Sequence, residues 1–156
     1  PPLPPDQVVP PVDVNKRNVF QVKINSMNEL QVQGELMDLK DLRARAKEFI
    51  KNENNDPNMP KKELVNIPLI GEIEITKEHV ISLQNDVDTQ YQAYIDVQNE
   101  LVAAYNELRN ELALQKFGKV FDELEEDQKK AVQDVYPQKI SEAEPKNYGG
   151  VNNGTN

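Results

Sequence analysis

The chain has 156 residues, 18 Lys and Arg against 27 Asp and Glu, a net charge of −9, 37% hydrophobic residues, 11 Pro, one His and no Cys. That length and apolar content allow one modest core, and no stretch nears the ~18 consecutive apolar residues of a membrane span. Disulfides, thiol nucleophiles and Cys-based zinc sites are excluded outright, and the acidic balance argues against a nucleic-acid partner, which would require clustered Lys and Arg.

The ends differ from the middle. Pro1 to Val14 contains six prolines and reads as an extended polyproline-like strut, whereas residues 147–156 are rich in Gly and Asn and read as a flexible tail. The domain is therefore expected at 18–146, after a proline-rich linker at 1–17. A start at Pro-Pro-Leu-Pro-Pro without Met suggests a piece of something longer.

Phe20, Val22 and Ile24 alternate with Gln21 and Lys23, the period of a strand with one buried face. The polar turn at 25–29 leads into Leu30–Val32, predicting an antiparallel hairpin that Gly34 ends. A helix should follow, with Asp38 as its cap, Met37 stapled onto Leu42, and Leu39, Leu42, Ala46, Phe49 and Ile50 on its buried face. Prolines at 57 and 60 predict a loop over 52–62.

Ile70, Ile73 and Ile75, then Val80, Ile81 and Leu83, form two short runs about Thr76–Glu78, predicting a second strand pair. Tyr91, Tyr94, Leu101, Tyr105, Leu108 and Leu112 recur at threes and fours in a long helix from Asp88 or Thr89 to about Lys116. Leu124, Ala131, Val132 and Val135 suit a further helix that stops before Pro137, and Gln138–Ser141 is read as a closing strand with Ile140 inward. The acidic run 122–127 is a helix start, where negative charge is favoured. The predicted class is α+β: a two-layer fold with a small mixed sheet and helices packed on one face.

Chemistry is mostly absent. With glycines only at 34, 71, 118, 149, 150 and 154, no nucleotide-binding glycine motif can be written. His79, the only histidine, lies in an expected β-turn, with no GxSxG around any serine, and is read as a surface residue. Asp86 and Asp88 resemble the start of a calcium loop but lack its glycine, so they read as a loop carboxylate and a helix cap. No catalytic residue, metal site or cofactor is expected, and a binding or coupling role is the default. The alternative is a soluble glycan-binding or hydrolytic domain with a carboxylate cleft, although the absence of Trp weakens it.

Several stretches carry a resemblance. Arg17–Phe20 before the first strand, Gly34–Leu42 into the first helix, Val80–Asp86 followed by Tyr91, Gln98–Leu101 with Ala104–Arg109, and Tyr136–Pro137 leading to Ile140–Pro145 together resemble the periplasmic domain of ExbD/TolR-type biopolymer transport proteins. The likeness is greatest to the longer ExbD form of Bacteroidetes, and it spans nearly the whole predicted domain. It implies a non-enzymatic domain on the periplasmic side of the inner membrane, anchored by an N-terminal membrane helix whose aspartate relays protons. It also implies ExbB-like and TonB-like partners, a homodimer, and, in the TolR branch, peptidoglycan. A proton crossing about 150 mV releases roughly 3.5 kcal/mol, which only an intramembrane ionisable group can sense; this domain should therefore transmit motion rather than generate it. Residues 52–69 and Glu111–Gln133 are insertions relative to the short family pattern. Leu3, Pro4 and Pro5 resemble the linker element that follows the membrane helix. An exposed sheet edge could take up an extended partner segment, and the candidates are Phe20, Val22 and Ile24 in the first strand and Lys139, Ile140 and Ser141 in the last.

Overall fold

The computed structural model describes residues 15–143. The linker residues Leu3, Pro4 and Pro5, and the tail at 147–156, lie outside the described residues. The fold has begun by Lys16–Asn18, a short 3-10 turn, where Arg17 donates to the carbonyls of Met59 and Asp56 and the Asn18 side chain accepts from Lys61 N–H.

The architecture is α+β, as the residue pattern predicts. Strands β1 (Val19–Ile24), β2 (Leu30–Val32) and β3 (Glu35–Met37) are followed by helix α1 (Leu42–Lys51), strands β4 (Glu63–Ile67), β5 (Gly71–Ile75) and β6 (Val80–Asn85), helices α2 (Tyr91–Phe117) and α3 (Glu126–Val135), and strand β7 (Ile140–Glu142). Five strands form one mixed sheet in the order β3-β2-β1-β6-β7, and β4 and β5 form a separate pair. β1 runs antiparallel to β2 and parallel to β6, and β7 runs parallel to β6.

The period-2 pattern of β1 works as expected. Phe20, Val22 and Ile24 are fully buried, along with Leu30 and Val32 of β2 and Ile81 and Leu83 of β6, under Leu42, Ala46, Phe49 and Ile50 of α1 and Val97, Leu101, Ala104, Tyr105 and Leu108 of α2. The intervening residues of β1 remain partly exposed, so one face of the sheet carries the helices.

Four local expectations are corrected. Gly34 does not end the meander: Gln33 and Gly34 both have positive φ, 53° and 86°, the combination a tight hairpin turn needs, and the chain returns as β3. Asp38 does not cap a helix with its side chain; a 3-10 turn, Leu39–Asp41, precedes α1, and Leu39 is exposed. β5 and β6 are not partners, because β5 pairs back onto β4 while β6 crosses into the large sheet beside β1. Finally, α2 starts at Tyr91 with Gln90, not Asp88, as its cap residue, and Tyr91 faces solvent.

The segments 52–69 and Glu111–Gln133 meet in space. Ile67 and Ile75 of the β4–β5 pair pack on Leu124, Ala131, Val132 and Val135 from the segment carrying α3, and on Leu112 and Ala113 near the end of α2, forming a second hydrophobic core. α2 serves both cores over its 27 residues, about 40 Å at 1.5 Å per residue. Gly118 ends it in the left-handed region, φ 75°, and its N–H closes on Leu114 O. α3 opens with a reciprocal cap in which Gln128 accepts from Glu125 N–H and the Glu125 side chain accepts from the Gln128 N–H.

Candidate partner-binding site

The two strands expected at a sheet edge have different fates. β1 is interior, with β6 along one side and β2 along the other, and its inward side chains Phe20, Val22 and Ile24 are at most 1% exposed. It therefore offers no edge. The reason is the parallel crossover: β6 enters in register with all six residues of β1, Val19↔Val80 through Ile24↔Asn85. On the other flank β2 pairs only with Val22–Ile24, and a side chain completes the ladder. Gln21 N–H donates to Gln33 Oε1 at 2.9 Å, Gln33 Nε2 donates to Val19 O at 3.1 Å, and Gln33 N–H donates to Gln21 O at 2.9 Å. Gln33 thereby stands in for a missing strand residue.

β7 does lie at the end of the sheet among the described residues. Ile81 N–H donates to Lys139 O at 2.9 Å and Ala143 N–H to Leu83 O at 3.1 Å, which pins both ends of the strand to β6. Ile140 is half-buried against the first core, while Ser141 and Glu142 are exposed. The outer rim of β7 thus presents backbone groups, a hydroxyl and a carboxylate that receives a hydrogen bond from Gln98.

A buried hydrogen-bonded chain holds this edge in place. His79 is 2% exposed rather than a surface residue. Its Nδ1 lies 2.7 Å from Thr76 O and its Nε2 lies 2.7 Å from Tyr105 Oη. A carbonyl can only accept, so Nδ1 carries the proton, Nε2 accepts from the Tyr105 hydroxyl, and the Tyr105 oxygen accepts in turn from Lys139 N–H at 3.2 Å. Thr76 Oγ1 extends the chain by donating to Ile50 O. Burial pushes the His79 pKa down to about 4, against a smaller opposing effect of its bond to Thr76. Spacing placed Tyr105 on the buried face of α2, but nothing local to Lys77-Glu78-His79 signals that α2 covers this turn.

Acidic side chains do converge in the groove between α1 and α2, a space of about 920 Å³. Glu100, Glu107 and Glu111 arrive already paired. Arg43 bridges Glu100 at 3.0 Å and Glu107 at 2.6 Å, and Lys47 bridges Glu107 at 3.0 Å and Glu111 at 2.6 Å. Hydrogen bonds from Arg43, then Lys47, hold the Glu107 carboxyl below its ordinary range, the opposite of the raised pKa a general acid requires. The arrangement clamps two helices together. Among the described residues there is no group of three or more His, Cys, Asp or Glu positioned to hold a metal ion, and no helix is long and apolar enough to cross a membrane.

Residues 2–116 match the family described as biopolymer transport protein ExbD/TolR. The chain belongs to the ExbD/TolR family. The matched stretch holds β1 to β6 and all of α2 but its last residue, so α3 and β7 lie beyond it. No curated protein matches the chain. Members of the ExbD/TolR family serve energy transduction in biopolymer transport. They work with ExbB- or TolQ-type and TonB- or TolA-type partners, and are anchored in the inner membrane with a periplasmic domain.

Proposed function

We propose that this chain is the periplasmic domain of an ExbD subunit of the longer Bacteroidetes type, working in a TonB–ExbB–ExbD complex that couples the proton motive force to outer-membrane transport. The domain binds a partner and passes on movement, without catalysis of its own. The observation that carries the reading, beside the family match, is the edge of β7, which no further strand covers among the described residues: a partner segment laid along Lys139–Ser141 as a further strand gains backbone hydrogen bonds with few demands on its side chains. Anchoring through Tyr105 and β6 makes that edge a firm point to pull on.

Amide exchange with and without a TonB periplasmic peptide tests it. Added protection at residues 139–142 is expected, and protection confined to α1 and α2 would overturn it. Protection of the same strand that grows with protein concentration, without peptide, would assign the edge to a homodimer instead. Retention on purified cell wall, with no response to the peptide, would assign the domain to a TolR-like peptidoglycan-binding role.

A further inference from the structure

The sheet has a second open edge, opposite β7. β3 has β2 on one side and no strand on the other among the described residues. Beside it runs a groove of about 1180 Å³ between the strand and the start of the two helices. Its floor is apolar, with Leu30, Val32, Met37 and Val97. Its rim is acidic: Glu29, Glu35, Asp38, Asp41 and Asp96, against Arg45 as the one lining base. Lys40 stands near Asp38 and Asp41, and Arg45 near Glu48. No Lys or Arg among the described residues forms an ion pair with Glu29, Glu35 or Asp96.

We propose that this groove receives an extended, cationic peptide segment of a partner protein, which pairs with β3 as an added strand. The alternation of side chains specifies what fits. Glu35 and Met37 lie opposite Val32 and Leu30, on the helix side, whereas Leu36 lies opposite Gln31 on the other face and is 64% exposed. Residues of the incoming strand that face the groove meet an apolar floor and an acidic rim, the surroundings suited to Lys and Arg, whose aliphatic stems cover apolar surface while the charged head stays at the edge. Those on the opposite face lie by Leu36 and are apolar. The fitting motif is basic and apolar residues in strict alternation.

Charge also selects against occupants from this chain. A second copy brings a net charge of −9 and the same acidic rim. Residues 1–14 contain Asp6 and Asp13 with no Lys or Arg, and residues 144–156 contain Glu144 and Lys146 only. The site is on the other edge of the sheet from β7 and does not depend on the function proposed above.

The test uses the 156-residue chain and a capped peptide with Lys and Val alternating over five positions. Protection from amide exchange at residues 35–37 is expected, together with an affinity that falls about tenfold between low and moderate salt. The double variant E35K and D96K, with its fold checked by circular dichroism, should weaken binding by about tenfold or more. The same peptide with Glu in place of Lys should not bind. Equal binding of both peptides, or protection elsewhere than β3, would overturn the proposal. So would β3 protection that rises with protein concentration in the absence of peptide, which would make a second copy the occupant. Faster exchange in β3 on deletion of residues 1–14 would make the chain's own leader the occupant, and would equally refute it.

Discussion

The Tyr105 hydroxyl and the His79 imidazole meet at 2.7 Å in a site closed to solvent, and the same hydroxyl oxygen accepts the backbone N–H of Lys139. One oxygen thus ties α2, the β5–β6 turn and the residue that leads into the edge strand, with every donor aligned in one direction. All members of the chain are satisfied; no buried side-chain polar atom among the described residues lacks a partner.

Tyr105→Phe keeps the ring and removes the hydroxyl, leaving His79 Nε2 and Lys139 N–H without their partner. The buried His79 nitrogen left unsatisfied costs about 1–3 kcal/mol, and the half-buried Lys139 N–H adds less. Chemical denaturation should report that loss, and amide exchange at Lys139 should accelerate while the centre of β1 stays protected.

The pH dependence has a definite sign. His79 has a folded pKa lowered by burial to about 4, while an unfolded histidine titrates near ~6.5. Between those values the unfolded chain binds more protons, so stability is at its full value above ~6.5 and declines as pH falls towards 4. The contribution lost is on the order of 3 kcal/mol. As the chain has one histidine, a single imidazole resonance reports its titration directly. It should stay neutral at pH 5, and His79→Gln should flatten the stability profile between pH 7 and 4.5.

Arg43→Gln breaks the bridge from α1 to Glu100 and Glu107. These groups are partly exposed, and such pairs are weak and screened by salt. Thermal melts at low salt should show a fall of roughly 2–4 °C, shrinking as salt is added, with no change in the spectrum of the folded protein.

Gln33→Ala removes the side chain that completes the ladder of Val19 and Gln21. Exposed hydrogen bonds of this kind are worth about 0.5–1.5 kcal/mol each. The larger effect should be on association: with those backbone groups uncovered, β1 gains a short open flank, and sedimentation should show more self-association than for the native chain.

How far the sequence could be read depended on whether neighbours in the chain are neighbours in the sheet. Phe20, Val22 and Ile24 alternate with polar residues and pair with the next strand, so that hairpin and its buried face were legible. β6 was legible as a strand from Val80, Ile81 and Leu83, but its partner was not, since a parallel pairing with Val19–Ile24 leaves no mark near residue 80. That hidden crossover made β1 look like an edge. β3 escaped because it has three residues, with Glu35 and Leu36 exposed, and β4 because charged Lys61, Lys62 and Glu63 mask its start. Within the sites, the edge position of Ile140 and Ser141 followed from a short strand after Pro137, whereas His79 depended on Tyr105, 26 residues away.

The long helix α2 belongs to both hydrophobic cores at once, with Leu101 and Leu108 in one and Leu112 and Ala113 in the other. A tug delivered to either end of the molecule therefore reaches the other through a continuous rod, with no soft joint to absorb it. Under tension such a body should yield in a single rupture rather than by peeling apart in stages, and until that point it should hold its shape as a handle does.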